Sequence, residues 1–246
     1  MSYKMYIEPK MVELAKEFGF KYLKSKREGF KKNKEVGLRF ILMNGTLGVS
    51  IGLYIENILI TDFVEKIAER DYTVKGRLIR ILLDNAFSSD LDLTYMGQIE
   101  LSYKTYDVAP VKFEKLFREF VIPWFEKNGS YKGIRRTIRD NAATGALWKP
   151  VFNNKEITSY FHWDKFAIGF YHDVVLSKIL NDTPASANDI YEQYWAQPII
   201  DFLDTWDEKD QKYYKDYPDI IKAKDQIPVV IEKLESITDE EWEKFR

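Results

Sequence analysis

Leu38-Arg39-Phe40-Ile41-Leu42-Met43-Asn44-Gly45-Thr46-Leu47-Gly48-Val49-Ser50-Ile51-Gly52-Leu53-Tyr54-Ile55 decides the fold class. Leu38, Phe40 and Leu42 alternate with Arg39, Ile41 and Met43, the period of a strand buried on at least one face. Asn44-Gly45 supplies residues that tolerate the positive φ of a tight hairpin turn. Val49, Ile51, Leu53 and Ile55 then resume the period of two.

Outward from this hairpin, further strands are expected. Upstream, Pro9 suits the first turn of a helix carrying Met11, Val12, Ala15 and Phe18 at helical spacing, with Gly19 as its C-terminal cap. Residues 20–34 read as a strand pair, or a loop plus a strand, rich in cations interleaved with Phe20, Tyr22 and Phe30. Downstream, Thr61 is placed as the cap of a short helix through Arg70, with Phe63, Val64 and Ile67 inward. Residues 72–83 have strand character, and 94–104 alternate apolar with polar, a strand with one wet face that favours an antiparallel sheet. Four or five strands are therefore expected between residues 27 and 104.

The period then changes. Asp107 is expected to cap a long helix with a stripe of Phe113, Leu116, Phe117, Phe120 and Trp124, which Pro123 should kink or end. Asn128-Gly129 closes that segment, and Ser130 opens a helix carrying Ile134 and Ile138 beside a basic edge of Lys132, Arg135, Arg136 and Arg139. Residues 141–155 read as a connection. Beyond it come a helix with Phe166, Ala167, Phe170, Tyr171, Val174 and Val175, a break from Asn181 to Ser186, and a helix through Ile190, Tyr194, Trp195, Ile199, Phe202 and Trp206, bent at Pro198. Pro218 and Pro228 divide the tail into short helices, and Thr238-Asp239-Glu240-Glu241 reads as a capping box before Trp242. The expected fold is α+β: an N-terminal helix and an antiparallel sheet of about four to five strands packed with helices, followed by an all-helical C-terminal region. The expected division is 1–145 as the α+β domain and 146–246 as the helical region, able to pack as one body with the first.

Composition narrows the function classes. Of 246 residues, 45% are apolar, 31% charged and 15% aromatic, the profile of a folded globular chain rather than a disordered one. The absence of cysteine excludes disulfides, thiolate metal sites and a cysteine nucleophile, and fits a reducing compartment. The N-terminus shows no apolar signal region, and the longest apolar run, residues 120–125, is far short of the ~20 residues of a membrane span. A cytoplasmic location with no membrane partner is expected, and the sequons at Asn44 and Asn128 read as turns. Net charge is −2, but residues 21–34 hold seven bases against one acid, and residues 201–246 hold fourteen acids against eight bases.

No catalytic pattern emerges. Gly45, Gly48 and Gly52 match neither the Walker nor the dinucleotide pattern and lie in a hairpin, so no cofactor is indicated. His162 and His172, ten residues apart, would lie about 80° from a shared helical face. Each neighbours an aspartate, Asp164 or Asp173, but no nucleophile completes a triad, and both read as polar tips on an aromatic-rich helix. Asp201, Asp204 and Glu208 share a helical face that must be polar in any case. No catalytic, cofactor or metal residue is assigned, and the chain leans away from an enzyme. The candidate interaction surface comprises Lys21, Lys24, Lys26, Arg27, Lys31, Lys32, Arg135, Arg136 and Arg139.

Glu17-Phe18-Gly19-Phe20-Lys21, then Gly29-Phe30-Lys31-Lys32, a strand hairpin, and Val121-Ile122-Pro123-Trp124-Phe125-Glu126 before a short helix resemble bacterial domains of unknown function. That group is of the immunity-like type found near polymorphic toxin systems, and the resemblance spans residues ~8–140. It implies a protein-binding role without catalysis. The leading expectation is thus a non-enzymatic protein-binding protein, immunity-type or scaffold, whose partner is another protein. One alternative is a nucleic-acid-associated protein using the basic segment 21–34, although a sequence pI of about 5.9 is low for that class. A second is a hydrolase or metal enzyme built on His162 and His172.

Overall fold

The computed structural model describes residues 6–44, 48–68, 77–82, 99–100, 107–140, 151–152, 155–156, 163–181, 186–197, 200 and 227–243. The chain divides into two compact units, each assembled from three separated stretches. The first comprises Met1–Asn57, Ile79–Ser130 and Pro150–Ile157, and the second Ile58–Leu78, Tyr131–Lys149 and Thr158–Arg246. The single boundary expected after residue 145 lies outside the described residues.

In the first unit, α1 (Glu8–Glu17) has Pro9 in its first turn and ends as expected at Gly19, whose φ is +76°. Gly19 N–H donates to the Lys16 carbonyl and Phe20 N–H to the Ala15 carbonyl, a paired closure that uses two of the orphan carbonyls of the last turn. The chain then runs through β1 (Lys21–Leu23), β2 (Glu28–Lys32), β3 (Gly37–Asn44) and β4 (Gly48–Glu56), each antiparallel to the next. Residues 20–34 thus form the strand pair. β5 (Arg77–Leu82), of which this unit holds the residues from Ile79 on, follows β4 in sheet order, and β6 (Ile99–Glu100) pairs antiparallel with β4. The other residues of the expected strands at 72–83 and 94–104 lie outside the described residues, as do 45–47 of the hairpin connection.

The register places Leu38, Phe40 and Leu42 opposite Ile55, Leu53 and Ile51 on one face. Phe40 lies over Gly29, where an added Cβ would come 2.1 Å from the ring; that position is open only to glycine. Phe20 and Phe117 meet Phe40 edge-on with centroids 5.3 and 5.1 Å away, and Phe125 is 5.5 Å from Phe20. Such ring pairs each contribute ~0.5–1.5 kcal/mol beyond the area they bury.

The helical segment over this face differs from expectation in three ways. Its first helix, α3 (Ala109–Leu116), is preceded by Val108 rather than capped by Asp107. Pro123 does not end the path: a π turn over Phe117–Val121 leads into α4 (Ile122–Asn128). In a regular α-helix the Pro123 ring would crowd the carbonyl of Glu119, four residues earlier; the wide turn directly before it spaces that carbonyl away. The extra residue also rotates the buried stripe by about 100°. Val121 and Phe125 are therefore buried, while Phe120 and Trp124, expected inward, are half-buried.

The other sheet face carries an ion cluster. Arg39 bonds Glu56 through Nε (2.9 Å) and Nη2 (3.0 Å) and Glu28 through Nη1 (2.6 Å), with Phe30 under its guanidinium at 5.0 Å. Burial opposes the Arg39 charge, but its hydrogen bonds to both carboxylates outweigh that and raise its pKa. The cluster ties β2, β3 and β4 together through side chains.

In the second unit, α2 (Ile58–Ala68) starts before Thr61, so Thr61 is no cap; it is buried, and its hydroxyl donates to the Ile58 carbonyl at 3.0 Å. α6 (Trp163–Ile179) packs against α2 and α5 (Tyr131–Arg139). From Gly169 to Ser177 α6 is buried on every side, which is why apolar residues are found all round it and no polar face runs along it. The side chains of Phe166 and Ala167 lie outside the described residues. Asn181, at φ +51°, follows α6, and Ser186 caps α7 (Ala187–Tyr194) by accepting from Asp189 N–H. Glu235, on α8 (residues 227–235), also accepts from Ala187 N–H. α9 (Asp239–Trp242) has the expected capping box, and Trp242 meets Phe63 at 5.4 Å. Back in the first unit, where residues 141–155 are expected to be a connection, β7 (Val151–Phe152) pairs with β8 (Lys155–Glu156).

The molecule is α+β, with an antiparallel sheet after the first helix and helices after that. Among the described residues no helix is long and apolar enough to cross a membrane.

Candidate interaction surface

Of the cations singled out from sequence, six lie on or beside the β1–β2 hairpin. Strand β1 stands at the end of the sheet order, and its last pair, Leu23 with Glu28, leaves Lys24-Ser25-Lys26-Arg27 as the connecting loop. Lys26 N–H donates to the Leu23 carbonyl (3.2 Å) and Arg27 N–H to the Lys24 carbonyl (3.3 Å). Arg27 closes the loop at φ +55°, a left-handed conformation that side chains other than Gly, Asn and Asp rarely adopt.

Lys21, Lys24, Lys26, Lys32 and Lys34 are exposed, and among the described residues none is in an ion pair. Lys31 is exposed too but is engaged: its Nζ donates to the Phe18 carbonyl at 3.0 Å and lies 5.7 Å from the Phe20 ring centroid. It therefore caps the C-terminal end of α1, where a cation also meets the negative pole of the helix. The hairpin aromatics are occupied as well. Phe30 lies under Arg39, and the Tyr22 hydroxyl donates to Glu8 at 3.3 Å.

The three arginines of the second basic stretch have different fates. Arg136 is exposed, whereas Arg135 is half-buried, its pKa lowered by burial and then by the charge of Arg139. Arg139 turns to Asp173: its Nε lies 2.9 Å from each carboxylate oxygen, and its Nη2 donates to Ser177 Oγ at 3.0 Å. The Tyr194 ring lies 3.6 Å from its guanidinium carbon. Trp195 Nε1 donates to Asp173 Oδ2 (2.8 Å) and Ser177 Oγ to Oδ1 (3.3 Å). Asp173 is fully buried, and these three donors, with the Arg139 Nε–H shared between the oxygens, give each carboxylate oxygen two contacts. Trp195 closes over Gly169, where an added Cβ would come within 2.9 Å of its ring.

This cluster, from α5, α6 and the end of α7, was not anticipated from sequence. The available signal was the pair Asp173 and Ser177, at i and i+4 in a helix with apolar residues on every side, since polar groups inside such a helix must be partnered. His172, expected as a polar tip, is buried beside it. His162, Asp164 and the carboxylates Asp201, Asp204 and Glu208 include no described side chain. Among the described residues no three His, Asp or Glu side chains are grouped to hold a metal ion.

Comparison with protein-family models, curated proteins and solved structures gives no match.

Proposed function

We propose that this chain is a non-enzymatic protein-binding protein, immunity-type or scaffold, that takes an acidic protein partner on the β1–β2 hairpin. The observation that carries the reading is the group of exposed lysines Lys21, Lys24, Lys26, Lys32 and Lys34, engaged in no ion pair among the described residues. A lysine-bearing edge strand also discourages wrong strand pairing, but that needs only a charge or two on the strand itself. Lys24 and Lys26 lie off the strand, in a loop closed by a left-handed arginine. The resemblance of residues ~8–140 to immunity-like bacterial domains points the same way.

The other two readings find less support. A single-stranded nucleic-acid site wants aromatic faces open for base stacking, and Phe30 and Tyr22 are taken up as described. A histidine base wants an orienting carboxylate, and the acceptor positions of Asp173 are used by Arg139, Ser177 and Trp195.

The test is affinity capture by the tagged chain from its native lysate, with and without nuclease. A stoichiometric protein held by the wild type under nuclease, and lost by the charge reversal K21E/K24E/K26E, is expected. Capture that vanishes with nuclease, or that survives the reversal, overturns the reading.

A further inference from the structure

The register sorts the lysines of the β1–β2 hairpin by face. Lys31 pairs with Leu38, on the Phe40 side of the sheet, and it is the lysine already engaged, at the end of α1. The aromatic group of Phe20, Phe117 and Phe125 places α1 and the helical path 109–128 over that same side. Lys21 and Lys32 fall on the opposite face, with Phe30, Arg39 and Ile41. The acids of strands β1 to β4 are Glu28 and Glu56. Both lie on that opposite face and both are held by Arg39, whereas Lys21 and Lys32 are exposed and, among the described residues, in no ion pair.

The apolar residues of this face are also only partly covered. Leu23, Ile41 and Met43 are half-buried, while Leu38, Phe40 and Leu42 on the Phe40 side are buried. Leu23 and Ile41 flank Glu28 in one row across β1, β2 and β3. Two strand spacings separate them, about 10 Å, which is the width of a single helix. Between them Glu28 is buried and turned to Arg39. A centre of apolar side chains with a methionine and an arginine, edged by lysines, is the composition of a protein-binding surface.

We infer that the acidic partner docks an amphipathic helix on this face. Its apolar side rests on Leu23, Ile41 and Met43, and its flanking carboxylates meet Lys21, Lys24, Lys26 and Lys32. This rests on the proposed function and adds to it the kind of segment that is recognised. The lysines confer salt sensitivity, since exposed ion pairs are weak singly and screened. The apolar centre demands that the partner's own apolar residues share one helical face.

Two labelled peptides of about 18 residues test this, both of the same leucine and glutamate composition. One has leucines at i, i+3, i+4 and i+7, and the other has them scattered round the helix. Fluorescence anisotropy with the full chain at about 50 mM salt should show the patterned peptide bound at least about tenfold more tightly, and binding should weaken at about 500 mM. K21E/K32E should weaken both peptides, and L23S/I41T should abolish the preference between them. In the wild type, the methyl resonances of Leu23, Ile41 and Met43 should move on titration while that of Leu14 in the core stays, a readout that needs no variant to fold. No binding, equal binding of the two peptides, or shifts confined to other residues overturns the inference. The proposed function is read separately, by partner capture from lysate. A partner lost by K21E/K24E/K26E but held by L23S/I41T as well as by the wild type leaves that function standing and removes the apolar face. A partner held by K21E/K24E/K26E overturns the function whatever the peptides do.

Discussion

Asp173 carries its charge with no exposed surface, which a core tolerates only when the carboxylate is fully hydrogen-bonded and its counter-charge is held close. Arg139, Ser177 and Trp195 supply those bonds from three elements. Removing one partner strands the other, so Asp173→Ala leaves a largely buried guanidinium without its anion and the Trp195 N–H without its acceptor. A loss of about 3–5 kcal/mol is expected, and a similar loss for Arg139→Ala. The double variant should cost at least about 1 kcal/mol less than the sum, because the second removal takes away a group already stranded. Urea unfolding followed by tryptophan fluorescence measures all three, and additive losses would show that the pair does not act as a unit. The same residues mark what was legible at this scale. Helical spacing told which side of α5 is apolar, through Ile134 and Ile138, but not that Arg139 turns inward. Its partner stands 34 residues further on, and the approach of α6 is a tertiary fact that local periodicity does not contain. Gly29 is similar: its need to be glycine comes from the Phe40 ring on the neighbouring strand, not from its own turn chemistry.

Elements were legible where local chemistry decides them and misread where packing does. The Gly19 closure of α1, the β3–β4 pairing and the Thr238 capping box follow from residues a few positions apart. The start of α2 ahead of Thr61 and the π turn before Pro123 do not. That π turn also takes part in holding α1. Its Arg118 donates to Glu17 of α1 at 2.5 and 2.6 Å and to Glu114 of α3 at 2.9 Å, and Lys10 reaches Glu114 at 3.2 Å. The hydrogen bond from Arg118 holds the Glu17 carboxyl below its ordinary 4.5; Glu114 is lowered likewise, by Arg118 and then Lys10. Folded-state values below the unfolded ones mean that the pairs stabilise at and above the ordinary carboxylate range and release that stability as pH falls through the folded values. The wild type should therefore lose more stability than Arg118→Gln between about pH 6 and about pH 3, with little difference in slope above about pH 6. Denaturant midpoints across that range decide it; parallel curves would show the network to be screened away at the surface.

For the whole molecule, strand and helix content was readable because period two gives way to the helical period after residue 104, whereas the assembly of each compact unit from separated stretches is a tertiary fact. A sequence scan proposes boundaries where composition shifts, and so finds contiguous domains; it cannot see a helix that leaves one body to complete another. α2 and α5, which flank the buried α6, come from residues 58–68 and 131–139, ahead of the expected boundary. α6 is buried all round between Gly169 and Ser177, and a helix with no polar face cannot stand in water without its neighbours. A fragment of residues 146–246 would expose both flanks of α6 and leave Asp173 without Arg139, so it should lack cooperative unfolding and near-ultraviolet dichroism when made alone. Residues 1–145 keep the sheet and the aromatic group around Phe40, but they carry α2 and α5 with their apolar faces uncovered, so that fragment should be aggregation-prone. Co-expressed, the two should assemble into a soluble complex, with the tryptophan signal of Trp195 restored only in the mixture. If residues 146–246 melt cooperatively alone, α6 does not depend on α2 and α5, and the second unit has to be redrawn as a contiguous domain.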